Sequence, residues 1–521
     1  MPQTPVSFAD FKRFTSPGLY CPLVKRLDFF EDAFKIYRCW RNEKNPSVLL
    51  ESARITSKTG RYSLIAKDPF MVLEAKDSEV VLSSFGEREV LRGDPFQITR
   101  RILKQFTSKT LEGLAPFTGG AIGYFSYEAK NYLEPNLSKS AKEGMELPEV
   151  YLLFFDEGLI LDHEEKALYI FTNIKIGRDP RRSYSYGLRR LDTLERNLKR
   201  SWKNRQAGLP TIKNKRFKFE TRAADDEKSG QKLLSSLNRE EFIEKVKRIK
   251  CYIRKGDIFQ ANLSQRFSFE LEKEPLDIYE NLKEINPSPF FGYLDAVHFQ
   301  IISGSPERLL KLEKGILETR PIAGTRARGK NDKEDKALSM DLLLSPKERA
   351  EHIMLLDLER NDMGRVAEYG SVTVNEFMEL ENYSHVKHIV SNVQGILSNG
   401  LEAIDALRAF FPGGTITGAP KVRCMEILDE LEPVERGPYT GSLGYLSFTG
   451  NMDFNILIRS LVVKNGHAYL QVGAGIVADS IPEKEYEETL YKAEGVLSAV
   501  FGKRKTGGQA GRQRSVAARL S

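Results

Sequence analysis

A chain of 521 residues with 40% hydrophobic and 10% aromatic content can bury a large core, and only four cysteines exclude a disulfide scaffold. Its formal +7 is unevenly spread: residues 175–218 hold 15 Lys and Arg against 3 acids, residues 502–521 hold six and no acid, and −11 remains for the rest. The basicity belongs to a connector and a tail, so no nucleic-acid partner is expected.

The first residues carry no apolar run behind their basic side chains, and no segment approaches the roughly 20 apolar residues of a membrane span. No membrane and a cytoplasmic location are expected. Residues 1–173 read as an N-terminal α+β domain with short strands at 48–50, 61–65, 72–73, 80–82 and 150–161. The last of these is interrupted by Asp156-Glu157-Gly158, read as a turn. The patch Gly119-Gly120-Ala121-Ile122-Gly123 lacks the Lys-Ser/Thr ending of a phosphate loop and predicts close backbone approach instead.

Residues 174–237 form a basic connector. Within 181–205, Leu188, Leu191, Leu194 and Leu198 draw one apolar stripe along a Lys/Arg-coated helix. A polar linker follows over 204–230. Residues 238–501 form the second domain, opening on an amphipathic helix at 238–255 and closing on strands at 441–448, 454–463 and 467–472. Residues 502–521 read as a disordered basic tail. Cys21, Cys39, Cys251 and Cys424 have no CxxC spacing, which predicts buried free thiols rather than a metal-thiolate site. The fold class that follows is α+β, with large antiparallel sheets flanked by helices.

Several residues carry chemistry. Alternation along 454–463 sets Arg459 on the face of Leu457, Leu461 and Val463, where a buried guanidinium needs an anion, either a structural carboxylate or a ligand's. Glu351 shares a helical face with Leu355 and Leu358. Glu488 and Lys492 stand i,i+4 on a helix after Pro482, a spacing that taken alone favours a surface ion pair. Two carboxylates on different helices suit a hard divalent cation. The loop 411–421, FPGGTITGAPK, and Gly473-Ala474-Gly475 both offer backbone NH groups to an anion or make tight structural turns.

Together these segments resemble the chorismate-binding domain shared by anthranilate synthase component I, aminodeoxychorismate synthase component I, isochorismate synthase and salicylate synthase. The matching stretches are GDIFQANLSQRF at 256–267, SPER at 305–308, RPIAGTRARG at 320–329, ERAEHIMLLDLERND at 348–362, YSHVKHIVS at 383–391, FPGGTITGAPKVR at 411–423, YTGSLGY at 439–445, and GAGIVADS with YEETLYKA at 473–493. LLES at 49–52 and GRYSLI at 60–65 extend the likeness to the first domain.

The resemblance implies that Glu351 and Glu488 hold Mg²⁺ on the ring carboxylate of chorismate. Arg459, Tyr439 and the amides of Gly473, Ala474 and Gly475 would bind the enolpyruvyl carboxylate. Glu307 would protonate the departing C4 hydroxyl, His388 would line the ring, and Thr415 and Lys492 would position it, with Ala323 and Thr325 in the neighbouring PIAGT motif. Gln260 stands where water-adding relatives have Lys, so ammonia is the expected nucleophile. Asn262, Arg308, Gly414, Thr417, Thr440 and Ser442 match the para-aminobenzoate branch, which implies 4-amino-4-deoxychorismate as product and anthranilate as the alternative. Ala323 replaces the Lys that some members of that branch use covalently. Leu50, Glu51, Ser52, Pro289 and Phe290 resemble a tryptophan pocket. No cysteine here sits in a G-x-C-x-G elbow, so a separate glutamine amidotransferase is the expected ammonia source.

Overall fold

The computed structural model describes residues 7–13, 16, 18–53, 60–109, 113–137, 142–206, 233–329, 331–382 and 386–502. Most of the expected polar linker, the tail beyond Gly502 and Tyr383–His385 of the YSHVKHIVS motif lie outside them. Two 12-stranded sheets dominate. One runs Tyr20–Leu27, Ala167–Lys175, Glu157–Asp162, Tyr62–Lys67, Ser47–Glu51, Phe290–Asp295, Phe299–Ser305, Ser460–Lys464, His467–Ile476, Gln260–Glu270 and Leu234–Ser235, with Gly418–Ala419 paired to Gln260–Glu270. The other runs Ile322–Ala327, Val386–Ile396, Ile316–Thr319, Arg308–Glu313, Met452–Asn455, Ser442–Ser447, Gly120–Phe125, Val150–Phe155, Met71–Lys76, Glu79–Ser84 and Glu87–Arg92, with Thr373–Asn382 paired to Val386–Ile396. Both sheets draw strands from residues 1–173 and from 238–501, so neither segment owns a sheet. The pairings are antiparallel, and the fold is α+β as expected.

Alternation explains the layering. In Val150–Phe155, all six residues are buried; Leu152 and Phe154 join the core under the helices Pro95–Gln105 and Ala403–Phe410, whereas Tyr151, Leu153 and Phe155 join the core between the sheets. The first sheet buries its outer face under Arg239–Lys255, Pro275–Ile285, Lys421–Leu431 and Pro482–Phe501. The result is helices, sheet, sheet, helices.

The helix Pro180–Gln206 covers the connector stripe: Leu191, Leu194 and Leu198 are buried against the first sheet's core, Leu188 is partly so, and Arg190 pairs with Asp156 and Glu157. Asn238 caps Arg239–Lys255 in a capping box with Glu241. No helix of the described residues is long and apolar enough to cross a membrane. Cys21, Cys39 and Cys424 are buried; Cys251 is exposed, contrary to expectation, on the outer face of its helix.

Two strand predictions need correction for one physical reason. Residues 150–161 do not turn back as a hairpin: Val150–Phe155 belongs to one sheet and Glu157–Asp162 to the other, with Asp156 alone between them. Residues 454–463 are not one strand either. Met452–Asn455 ends in one sheet and Ser460–Lys464 begins in the other, while Ile456–Arg459 crosses the gap. A crossing preserves apolar periodicity on both sides, so alternation cannot reveal it.

Candidate active site

Two such crossings build the site. Residues 305–308 pass from Phe299–Ser305 to Arg308–Glu313, and residues 455–460 return from the second sheet to the first. They are bonded to each other: the Ile456 amide donates to the Glu307 carbonyl (3.0 Å), Ser305 Oγ donates to the Ile456 carbonyl (2.6 Å), and the Gly304 amide donates to the Arg459 carbonyl (3.2 Å). Glu307 and Arg459 are thereby set on adjacent chain segments. Arg459 has φ 54°, in the left-handed region, so its orientation comes from the crossing and not from the strand alternation first used to place it.

Glu307 is 7% exposed. Burial pushes its carboxyl up to about 7, against the opposing pull of Thr415, the Ile322 amide and Lys492. Thr415 Oγ1 is nevertheless buried without a partner in hydrogen-bonding geometry, and so is Gln260 Oε1. Each of these two atoms, on an expected site residue, has hydrogen-bonding capacity left for a ligand. Arg459 Nη1 donates to the Lys492 carbonyl (2.5 Å); no carboxylate pairs with it among the described residues, and burial lowers its pKa. Lys492 Nζ donates to the Gly473 carbonyl (2.9 Å) and pairs with Glu488 (2.7 Å), whose side chain is 46% exposed. The expected ion pair is therefore present, at the edge of the cluster.

The strand His467–Ile476 runs beside Gln260–Glu270, setting Gly475 opposite Asn262 and Gly473 opposite Ser264. A side chain at Gly473 would lie 2.8 Å from both Asn262 Oδ1 and Tyr439 Oη, so glycine there lets these groups converge. Ala474 turns its methyl into the core beneath the helices. At Gly414 an added carbon would strike Leu358 Cδ2 at 2.1 Å, so that glycine serves helix packing. Tyr439 is buried and its phenol is pushed well up by burial.

His388 Nδ1 donates to the Gly324 carbonyl (3.3 Å), and burial pushes its pKa down to about 4, which keeps it neutral with Nε2 as an acceptor. Thr325 lies opposite His388 in register, and Ala323 opposite Ile389. Glu351 is on Pro346–Gly364, a helix packed across Ile322–Ala327 and Val386–Ile396. Glu351 and Glu488, hard carboxylates on separate helices, are the donor type Mg²⁺ would take alongside water and substrate oxygens. Among the described residues no group of three or more His, Cys, Asp or Glu is gathered for a metal.

Residues outside the expected set also adjoin the site. Glu359, 3% exposed, accepts from Thr319 Oγ1 (3.0 Å) and is pushed up to about 8 by burial, then by Asp362. Asp362 pairs with Lys421 (2.6 Å). All three stand inside matched motifs, LERND and GAPK, which was the available signal. Leu50, Glu51, Ser52, Pro289 and Phe290 line a separate cavity of about 760 Å³. Arg308, next in sequence to Glu307, lines it too, forked onto Asp453 (2.9 and 3.0 Å) and 5.1 Å from the Phe290 ring centroid.

Residues 46–498 match the family model of chorismate binding enzymes. The chain is 44% identical over 460 residues to an anthranilate synthase component 1 of Acetivibrio thermocellus, covering 88% of this chain and 90% of that protein. It is 43% identical over 473 residues to the aminodeoxychorismate synthase component 1 of Bacillus subtilis, covering 91% and 95%. The crystal structure of anthranilate synthase component I from Streptococcus pneumoniae aligns with TM-score 0.68 at 35% identity, over 85% of this chain and 93% of that one. The menaquinone-specific isochorismate synthase of Escherichia coli shares the fold at TM-score 0.61 and 16% identity, over 94% of this chain and 97% of that one. Matched along most of its length, the chain belongs to the chorismate-binding enzyme family and is a chorismate-utilising enzyme.

Proposed function

We propose that this enzyme aminates chorismate at C4, releasing water and forming 4-amino-4-deoxychorismate, with ammonia delivered by a glutamine amidotransferase subunit. The observation that carries the reading is Glu307, a buried carboxyl held protonated near neutrality on the crossing beside Arg459. A neutral carboxyl can give its proton to the departing C4 hydroxyl as the C–O bond breaks. Arg459 then holds a substrate carboxylate through its fork, with Lys492 and the Gly473–Gly475 strand beside it. Neutral His388 offers an acceptor to the ring face. Glu351 and Glu488 would hold Mg²⁺, which when bound neutralises the ring carboxylate and orients the substrate.

Asn262, Arg308, Gly414, Thr417, Thr440 and Ser442 support the para-aminobenzoate branch, and the 43% identical Bacillus subtilis relative bears that name. Ala323 cannot form a covalent adduct, so ammonia enters directly. The second reading is anthranilate formation, favoured by the 44% identical Acetivibrio thermocellus relative and by the same Ala323. The cavity lined by Leu50, Glu51 and Phe290 is assigned to tryptophan.

One assay separates these readings: the pure chain with chorismate, Mg²⁺ and ammonium, with and without an aminodeoxychorismate lyase. Para-aminobenzoate formed only with the lyase supports the proposal. Fluorescent anthranilate formed without it overturns the proposal for the second reading. Tryptophan titrated into the same mixture should bind or inhibit; neither effect would remove it from the cavity.

A further inference from the structure

The chemistry above leaves the largest fully buried side chain of the region unused. Arg436 is 1% exposed, yet every one of its five N–H donors is engaged. Nε and Nη2 fork onto Glu432 (2.7 and 2.7 Å), Nη2 also reaches the Asn262 carbonyl (2.6 Å), and Nη1 reaches the Ile416 carbonyl and Thr440 Oγ1 (3.1 Å each). Glu432 in turn accepts from the amide and hydroxyl of Ser264 (2.8 Å each). The Tyr127 ring stands 4.5 Å and the Tyr439 ring 5.8 Å from the guanidinium carbon.

A buried ion pair does not by itself stabilise a fold more than well-packed apolar side chains would. What this pair does is join three segments that are remote in sequence. Asn262 follows Gln260 on its strand, Ile416 follows Thr415, and Thr440 follows Tyr439, so each bond ends one or two residues from a side chain on the site. Thr440 is also a β-branched residue at φ 60°, a conformation that persists only where its surroundings impose it. Its amide donates to the Leu457 carbonyl (2.8 Å) and its hydroxyl to the Tyr439 carbonyl (2.6 Å), so Arg436 is one of the groups holding that turn.

We propose that Arg436, oriented by Glu432, is a positioning residue of the chorismate site: it fixes the spacing of the Gln260–Asn262, Thr415–Ile416 and Tyr439–Thr440 walls and so presets Gln260, Thr415 and Tyr439. This rests on the reading of the site as the place where chorismate reacts. A lysine cannot reproduce five donors in a plane.

The test compares wild type, Arg436→Lys, Arg436→Ala and Thr440→Val as full chains, measuring thermal midpoint, chorismate affinity by calorimetry, and ammonium-dependent kcat and KM. Folded Arg436→Lys is expected to lose about 100-fold in kcat while KM changes less than about threefold. Low-millimolar guanidinium should partly restore Arg436→Ala, whereas a variant damaged only in its fold would not respond to it, such concentrations being far below those that denature. A folded Arg436→Lys with kcat within twofold of wild type, or a loss that tracks thermal midpoint without rescue, overturns the proposal. If neither Arg436 variant folds, Thr440→Val decides: lowered kcat in an intact fold supports positioning, and unchanged kcat overturns it. Failure of the functional reading shows separately, as a wild type that consumes no chorismate, which takes the positioning role down with it; failure of the positioning role alone shows as a wild type that turns chorismate over and an Arg436→Lys that matches it.

Discussion

Arg459 carries a charge that no carboxylate meets among the described residues, and it lies one hydrogen bond from Lys492. A guanidinium so placed stays stable only if its remaining donors face water or an anion, and under the proposed function a dicarboxylate substrate would supply that anion. Arg459→Lys keeps the charge and loses the fork. Its kcat/KM for chorismate should fall about 100-fold, mainly through KM, in steady-state assays at saturating ammonium. A change below about threefold would show that Arg459 does not grip the substrate. The need for an anion was legible in sequence from the apolar neighbours of Arg459, although the strand alternation that suggested it does not exist. Glu359 and Arg436 were not legible as site neighbours, because their standing depends on burial and on partners such as Thr319 and Asn262 that only the fold brings near.

Among the elements, the two crossings matter most. They are interruptions in otherwise periodic apolar sequence, and each sets an ionisable side chain, Glu307 or Arg459, where the sheets part. Ser305 binds them together, donating to the Ile456 carbonyl and accepting from the Glu307 amide (3.2 Å). Ser305→Ala should destabilise the protein by about 1–2 kcal/mol, read by equilibrium urea unfolding, because the Glu307 amide loses its acceptor and the Ile456 carbonyl keeps only the Ile458 amide of its two donors. It should also lower kcat about tenfold by letting Glu307 drift. Unaltered kcat would mean the crossings do not depend on each other. Helices were easier to read than these joints: the amphipathic pattern of 238–255 forms the helix Arg239–Lys255, and the Leu191, Leu194 and Leu198 stripe packs as its spacing predicts. The exchange of strands between residues 1–173 and 238–501 was illegible, since strand order depends on pairings distant in sequence.

For the whole molecule, burial leaves a signature in pH. Glu128, Glu307 and Glu359 are raised from 4.5 to about 7, 7 and 8, chiefly by desolvation. Each is protonated in the fold where the unfolded chain would be ionised, so the native state binds more protons between the two values. Their contribution is complete below about pH 4.5 and is lost as pH rises through 7 to 8. His388, pushed down to about 4, is neutral above the ordinary histidine range and adds nothing there. Thermal midpoints should therefore fall between about pH 6.5 and 8, and Glu359→Gln, which removes the carboxyl raised furthest, should take away more than half of that fall. Midpoints that rise over this interval would contradict the burial of these carboxyls.

The same protonation links the architecture to catalysis, since the sheet crossings matter functionally only if they deliver a protonated Glu307 to the substrate. The pH profile of kcat for chorismate amination, compared between wild type and Glu307→Gln, measures this directly. Wild-type kcat should decline as pH rises through about 7, and Glu307→Gln should lose at least about 100-fold and show no such decline. A glutamine variant that keeps wild-type kcat, or keeps the same decline, would contradict the assignment of Glu307 as the acid at the crossing.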